Sequence, residues 1–218
     1  MKWILLVTLL GFGLVQQANA QKKSGKQKDP GHNEVSILFG LNQPIVFRGV
    51  NVEVDYWTKK WVFDYSHGFE LKMDGKFVDQ TYEDQHLKFK ISHSLGFGVG
   101  YRFTKAFNVR FEPKMHFYQT FYEGQSYSGN NSFKDFKTYT LGFGAYYKWM
   151  PFENKTNSLK GFTVVPSVRY WHKVGASLDK DGYTYFNQKT QSMQTLKAPN
   201  IGIANSPVLV NVSIGYTF

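Results

Sequence analysis

Hydrophobic and polar residues alternate strictly along LKFKISHSLGFGVGYRF, residues 87–103. Leu, Phe, Ile, Val and Tyr, with one His, occupy the odd positions, and Lys, Ser, Gly and Arg occupy the even positions. Successive side chains of a β-strand point to opposite faces, so this alternation predicts a strand with one apolar face. Its length exceeds the usual range of about 3–10 residues, which raises the question of what covers that face.

The same alternation recurs along the chain and predicts eight strands. They lie at 33–42, 48–57, 61–71, 87–103, 109–122, 136–150, 162–174 and 208–218. We expect the apolar parity of every segment to be free of Lys, Arg, Asp and Glu. A charge at the middle of a bilayer costs about 2–4 kcal/mol, whereas a sheet that faces water has no reason to exclude charge. The pattern therefore favours strands whose apolar side faces lipid.

The connections between the predicted strands alternate in length. They are short at 58–60 and 104–108, intermediate at 151–161, and long at 72–86, 123–135 and 175–207. The connection near 42–47 is the exception, because it is short although it lies at the same end of the barrel as the long loops. Short turns at one end and long loops at the other are typical of outer-membrane barrels, with the short turns in the periplasm. An even number of strands then places both termini in the periplasm.

The first twenty residues, MKWILLVTLLGFGLVQQANA, have the composition of a secretory signal. A basic Lys2 precedes an apolar run, and Ala18, Asn19 and Ala20 form a small-residue cleavage site. The apolar run is shorter than the ~20 residues that a membrane-spanning helix needs. We therefore predict a cleaved signal peptide at 1–20, a flexible basic periplasmic tail at 21–32 and a barrel at 33–218.

Composition and charge exclude several classes of function. The 218-residue chain contains no cysteine, so disulfide and thiol chemistry are absent. Its formal net charge of +10 is compatible with nucleic-acid binding, but the lysines cluster in the tail and the short turns. That placement favours contact with anionic phospholipid headgroups or with a periplasmic polymer at the periplasmic rim, and we predict no nucleic-acid partner.

A soluble eight-stranded barrel of the lipocalin type, with its apolar face inside, is the alternative fold. Two features count against it. Glycines such as Gly96, Gly98 and Gly100 recur on the polar parity, where they make room inside a narrow barrel but have no purpose on a solvated wall. Aromatic residues also concentrate at strand ends, as in the girdles of membrane barrels. The predicted girdle consists of Trp57, Trp61, Tyr101, Phe103, Trp149 and Tyr216.

The signal peptide, the eight amphipathic segments and the ending VLVNVSIGYTF resemble those of small outer-membrane β-barrel proteins. That group includes the OmpA transmembrane domain, OmpX, OmpW and the short barrels common in Bacteroidetes. The resemblance implies an all-β, eight-stranded antiparallel up-and-down transmembrane barrel in a Gram-negative outer membrane. It also implies that Tyr216 and Phe218 form a signal read by the barrel assembly machinery. It implies no ligand.

Charged residues on the polar parity are predicted to form a network in the lumen. Its members are Glu53, Asp55, Asp64, Glu70, Arg102, Arg110, Glu112, Lys114, Lys148 and Arg169. Strands two and three are acidic and strands four, five and seven are basic, so opposite walls attract each other. The network is either an ion pathway or a salt-bridged plug. Because buried charges must be paired, we favour the plug.

The histidines suggest a lipid hydrolase as a further possibility. Some eight-stranded barrels are lipid A deacylases with a His and a Ser two residues apart on the outer face. Here Ser92 and Ser94 flank His93 directly, so alternation predicts their hydroxyls inside and the imidazole outside, out of reach. We predict no catalytic residues, no cofactor and no metal site. The expected role is structural or surface-interacting, with a small solute channel or a lipid-modifying enzyme as alternatives.

Overall fold

Eight antiparallel strands form a closed barrel in the computed structural model, which describes residues 33–73, 78–199 and 207–218. The described residues form ten strands in all, which are β1 (Glu34–Gly40), β2 (Val50–Trp57), β3 (Trp61–Met73), β4 (Leu87–Arg102), β5 (Phe107–Tyr122), β6 (Lys134–Tyr147), β7 (Phe162–Ala176), β8 (Tyr183–Asn187), β9 (Ser192–Leu196) and β10 (Val208–Thr217). The barrel follows the order β1-β10-β7-β6-β5-β4-β3-β2, and β8 and β9 form a separate hairpin.

The predicted fold is confirmed, because each of the eight predicted segments supplies one barrel strand. The last strand closes the barrel against the first, with a register that runs from Ser36 opposite Thr217 to Gly40 opposite Ser213. Short helices α1 (Asn42–Val46) and α2 (Gln80–Asp84) and 3-10 turns at Gly129–Asn131 and Ser158–Gly161 lie in the connections. The predicted signal peptide and basic tail lie outside the described residues.

The barrel carries apolar side chains on its outer face and charged side chains on its inner face. Phe97, Phe143 and Val168 on the outside are 64 %, 54 % and 50 % exposed. Arg110 and Glu53 on the inside are each 1 % exposed. This arrangement is the reverse of a water-soluble barrel such as a lipocalin.

The expectation of an apolar parity free of charge is wrong for two of the predicted segments. In the segment 48–57, Arg48 has the same parity as Val50, although β2 itself begins only at Val50. Lys137 lies on the outer parity of β6, where it pairs with Phe117 of β5, and Asp135 lies two residues before it. Both residues are at the end of β6 that joins the long loop. The exclusion of charge therefore holds along the middle of the outer face and ends near the long loops.

The side chains of β3 and β4 change face near the long loops. The ladder passes from Phe69 paired with His93 directly to Leu71 paired with Ile91, skipping one residue on each strand. The skipped residue on β3, Glu70, has a φ of 53°. Between β4 and β5 the register also shifts between Ile91 and His93. A β-bulge of one extra residue moves all following side chains to the opposite face.

The prediction that all odd residues of 87–103 share one face is therefore wrong for the part of β4 between the bulge and the long loop. Leu87, Phe89 and Ile91 are at most 3 % exposed and point into the barrel mouth, whereas Phe97 points outward. We name their cluster the apolar cap. It consists of Phe47, Met73, Val78, Tyr82, Leu87, Phe89, Ile91, Tyr118, Phe136, Tyr185 and Leu196.

No helix in the described parts of the chain is long and apolar enough to cross a membrane.

Candidate functional site: the lumen and its apolar cap

Arg110 on β5 is the centre of the charged contacts inside the barrel. Its Nη1 donates to Glu53 Oε1 at 2.7 Å and to Asp55 Oδ1 at 2.9 Å, and its Nη2 donates to Asp55 Oδ2 at 2.9 Å. The third carboxylate, Asp64 Oδ2, lies 3.4 Å from Nη1. Arg110 Nε donates to Asn108 Oδ1 at 2.9 Å. One guanidinium thus connects β5 to carboxylates on β2 and β3, across strands that are not neighbours in the barrel.

Two further contacts extend this network toward β6 and β7. Arg169 Nη2 lies 3.4 Å from Glu53 Oε2, and the Tyr146 hydroxyl donates to Glu112 Oε2 at 2.5 Å. The Tyr146 ring also lies 4.0 Å from the Arg110 guanidinium carbon, close enough for a cation–π contact. All of these side chains are buried, so removing one partner leaves an unpaired charge in a desolvated site.

A chain of hydroxyl groups occupies the lumen nearer the short turns. Trp57 Nε1 donates to Ser36 Oγ at 2.8 Å, and Ser36 Oγ lies 2.7 Å from Thr217 Oγ1. Thr217 Oγ1 lies 2.7 Å from Thr163 Oγ1, which donates to the Gly161 carbonyl oxygen at 2.9 Å. These bonds connect β1, β2, β7 and β10 and so fix the seam where the first and last strands meet.

The predicted lumen residues fall into different environments. Glu53, Asp55, Asp64, Glu112, Lys148, Arg102, Arg110 and Arg169 are buried, and Lys114 is partly buried with its ammonium 4.8 Å from the Trp171 ring. Lys148 Nζ pairs with Glu34 Oε2 at 2.6 Å near the short turns.

Two of the predicted network positions need correction. The Glu70 side chain is 57 % exposed and lies at the bulge, where it pairs with Lys90 at 3.3 Å. It therefore belongs to the outer surface at the loop end. Arg102 contacts backbone carbonyl oxygens of Thr58 and Lys105 and stacks against Trp57. Its described hydrogen bonds close the ends of two short turns and do not join the central carboxylates.

The predicted aromatic girdle also needs correction at Trp57. This residue is fully buried in the lumen. Tyr56 before it points outward, so Trp57 has the inward parity of β2. Trp61, Tyr101 and Phe103 are 48 %, 40 % and 62 % exposed and form an outward cluster beside the short turns. The rings of Trp61 and Tyr101 meet edge to face at 5.5 Å.

The remaining girdle and terminal residues lie at the same end of the barrel. Trp149 is partly buried and bridges Val164. The Tyr216 ring is partly buried and lies 4.9 Å from the ring of Phe218, which is 70 % exposed. The last residue is still attached to the barrel, because the Phe218 amide donates to the Val35 carbonyl oxygen at 2.8 Å.

The hairpin of β8 and β9 packs on the apolar cap at the end of the barrel that carries the long loops. Tyr185 and Leu196 on its inner face are buried in the cap, whereas Phe186 and Met193 on its outer face are 52 % and 64 % exposed. Asn187 Nδ2 donates to the Gln85 carbonyl oxygen at 2.8 Å. The cap and this hairpin together cover the mouth of the barrel above the charged network.

The segment around α2 forms the other side of this cover. The Tyr82 hydroxyl donates to the Lys197 carbonyl oxygen at 3.1 Å, and Tyr185 donates to Gln85 Oε1 at 3.2 Å. Burial raises the pKa of Tyr82 to about 12, with a smaller contribution from the Asp79 carboxylate. The sequence analysis did not predict that the hairpin and the α2 segment cover the barrel mouth. The alternation in YTYFN is the one weak sequence signal for the hairpin within 175–207.

An exposed side-chain hydrogen bond joins the outer ends of β4 and β5. His86 Nδ1 donates to Glu123 Oε2 at 3.0 Å, and the Glu123 amide donates to the His86 carbonyl oxygen at 2.7 Å. The hydrogen bond from His86 lowers the pKa of Glu123 below its usual value. The side-chain contact therefore holds above the usual pKa of a glutamate and is lost as the pH falls through the lowered pKa of Glu123.

We predict that acidification loosens the loop 123–135 before it unfolds the barrel. Amide hydrogen exchange in this loop should accelerate as the pH falls below the range of Glu123, after correction for the intrinsic rate. Glu123→Gln is the control, because its exchange should show little additional acid dependence. Equal acid dependence in both proteins would mean that this contact does not hold the loop.

The geometry of Ser92 and His93 differs from the prediction. Because the bulge lies here, Ser92 Oγ is 3.2 Å from His93 Nδ1, although alternation predicted them on opposite faces. The Ser92 hydroxyl also donates to the Phe117 carbonyl oxygen at 3.3 Å, and the His93 ring stacks on Phe117 at 3.9 Å. The hydroxyl is thus directed at a backbone acceptor.

Within the described residues, no group of three or more His, Cys, Asp or Glu side chains is arranged to hold a metal ion.

Comparison with known proteins gives a likeness in structure alone. No protein-family model matches the chain, and no curated protein matches it in sequence. The crystal structure of Ail, the attachment invasion locus protein of Yersinia pestis, aligns with a TM-score of 0.39 and 14 % identity. The alignment covers 86 % of this chain and 99 % of Ail. The same values hold for the crystal structure of Ail in complex with the heparin analogue sucrose octasulfate.

Proposed function

We propose that this protein is a non-conducting β-barrel of a bacterial outer membrane, with a structural or surface-interacting role carried by its loops. The signal peptide would export it, and both termini would lie in the periplasm. The single observation that carries the proposal is the reversal of faces, with apolar side chains outside and a paired charge network inside.

The outer face supports placement in a lipid bilayer. Phe63, Phe97, Phe143, Val168 and Val210 are between 47 % and 64 % exposed on five different strands. A continuous apolar surface around a barrel is costly in water but is the usual outer surface of a membrane barrel. Closure of the barrel satisfies the backbone hydrogen bonds that an open sheet edge would leave unpaired in hydrocarbon.

Two barriers in series support the absence of a solute pathway. The first is the buried network in which Arg110 of β5 pairs across the lumen with Glu53 and Asp55 of β2. The second is the apolar cap, where Phe89 and Ile91 are each 1 % exposed. An eight-stranded barrel is only wide enough for side chains to fill it, so a passing ion would have to break both layers.

We predict that the purified protein, reconstituted in planar bilayers, shows no repeated unitary conductance steps. A variant in which residues 179–197 are replaced by a short Gly/Ser linker removes the hairpin but keeps the charged network. It should remain closed as well, because the network alone fills the lumen. Unitary steps in the intact protein would favour the alternative function, a small solute channel.

A lipid-modifying activity is the other alternative, and the contact between Ser92 and His93 is the observation that keeps it testable. Mass spectrometry of lipid A from cells that express the protein should show no change in acyl chains. Ser92→Ala is the control for any change that is found. A deacylated species that disappears in the Ser92→Ala variant would replace the proposed role with an enzymatic one.

The partner of the surface loops is best sought from the hairpin. Phe186 and Met193 form an exposed cross-strand pair on its outer face. Photo-crosslinking from position 186 or 193 in intact cells should capture whatever the loops contact outside the cell. During assembly, we expect the ending at Tyr216 and Phe218 to engage the barrel assembly machinery.

A further inference from the structure

Four lysines lie on the outward side of β3, β4 and β6, at the level where β3 and β4 change face. Lys137 is exposed and Lys72 and Lys88 are partly buried, whereas Lys90 is only 5 % exposed and donates to the loop that contains Tyr127. We name Lys72, Lys88, Lys90 and Lys137 the basic patch. Lys72 pairs with Lys90 in the ladder of β3 and β4. Because the neighbouring Leu71 and Ile91 point into the apolar cap, Lys72 and Lys90 point outward.

The basic patch adjoins the exposed apolar face. The next row toward the short turns contains Phe69, His93, Phe117 and Lys137, paired in sequence across β3 to β6. Lys137 Nζ lies 5.0 Å from the Phe117 ring, and Phe69 is 42 % exposed. Below this row the outer face is apolar, as at Phe97. The ammonium groups therefore lie where hydrocarbon would give way to headgroups.

Acidic groups in the same area are already engaged. Both Glu70 oxygens lie 3.3 Å from Lys90 Nζ, which also donates to the Tyr127 carbonyl oxygen at 3.0 Å. Asp135 accepts from Ser132 Oγ at 2.5 Å and from Gln119 Nε2 at 3.4 Å. A third acid, Glu123, whose pKa is lowered mainly by the hydrogen bond from His86, lies close enough to Lys88 for that lysine to lower this pKa further. The four lysines and these three acids leave an excess of one positive side chain.

Two of the lysines outside that ion pair, Lys72 and Lys137, lie over aromatic rings. Lys72 Nζ lies 5.6 Å from the ring of Tyr127, a residue of the loop that covers Phe121 on the outer face. Lys137 contacts Phe117 in the same way. A ring below an ammonium group orients it without neutralising its charge. These lysines can therefore donate hydrogen bonds to an anionic oxygen on the side that faces away from the barrel.

We propose that the basic patch binds the phosphate of a phosphorylated lipid headgroup in the outer leaflet, while the acyl chains lie on the apolar face below. The proposal rests on the proposed membrane placement and deepens it by naming the lipid chemistry on one side of the barrel. Charge complementarity and the position of the patch at the upper limit of the apolar face support this occupant.

The test is native mass spectrometry of the full-length mature protein in a non-ionic detergent. The probes are diphosphorylated lipid A, the same lipid after dephosphorylation, and inorganic phosphate. We expect preferential retention of the phosphorylated lipid, and at least about tenfold weaker retention by the Lys72→Gln/Lys137→Gln variant, since each lysine near an anionic surface adds attraction. Lys180→Gln/Lys197→Gln changes two exposed lysines in the segments that flank the β8–β9 hairpin, outside the basic patch and the short turns, and should retain it like the unmodified protein.

Several results would overturn the proposal while leaving the barrel in place. Equal retention of the two lipids by a heat-modifiable, folded protein would exclude phosphate recognition. Equal losses in both double variants would show that only the overall charge matters. Binding of inorganic phosphate without a preference for the phosphorylated lipid would identify a soluble anion as the ligand. A protein that fails to fold in detergent or bilayers would instead reject the membrane placement itself.

Discussion

Replacing Arg110 with alanine should destabilise the barrel by about 3–5 kcal/mol, because it removes the cationic partner of buried carboxylates. Arg110 donates to both Glu53 and Asp55 and lies 3.4 Å from Asp64. After the substitution these side chains would keep their negative charge in a desolvated lumen or would have to take up protons. The change should appear as a lower urea midpoint for unfolding from lipid vesicles, followed by tryptophan fluorescence.

Arg102→Ala is the matched control, because it removes the same side chain from the same barrel. Arg102 bonds to the carbonyl oxygens of Thr58 and Lys105, which are close to water at the turns. Its loss should therefore shift the midpoint much less than the loss of Arg110. Comparable shifts in the two variants would mean that the central carboxylates do not depend on Arg110, and that the network contributes little to stability.

Alternation was sufficient to predict the number of barrel strands and their order, because period two directly reports the two faces of a strand. It could not reveal the bulge in β4. From Leu87 to Phe103 the apolar parity never changes, yet Phe89 points into the cap and Phe97 points outward. Near the long loops the inner face of the barrel is apolar and the outer face carries lysines. Toward the short turns the inner face is charged and the outer face is apolar. A one-residue shift of the backbone therefore leaves the sequence pattern intact.

The interior glycines illustrate the same limit for side-chain contacts. Gly98 lies on the inward face, as its parity predicts. In the structure, a Cβ atom at this position would overlap the carboxylate of Asp64 on the neighbouring strand. Parity gives the direction of a side chain, but the space available depends on the register between strands and on the length of the opposing side chain. Arg110 became the central cation for a similar reason, since only the barrel brings β5 opposite β2.

Phe97 is the position at which the outer face can be tested most directly. It lies in the middle of β4, it is 64 % exposed, and its ring is 5.1 Å from the ring of Tyr65 on β3. Phe103 is 62 % exposed on the same side of the chain but lies in the short turn after β4. The two residues are thus equally accessible and differ in their distance from the end of the barrel.

Phe97→Lys should reduce the free energy of folding into lipid vesicles by about 2–4 kcal/mol, whereas Phe103→Lys should cost about 0–1 kcal/mol. A lysine at the middle of the bilayer must bring its ammonium group into hydrocarbon, while one at the turn reaches the headgroups directly. The measurement is the fraction of heat-modifiable barrel as a function of urea in vesicles. A membrane-facing surface requires the difference between the two positions, because both substitutions would be tolerated on a face that contacts water. Equal folding of the two variants would therefore place water, and not lipid, around the barrel.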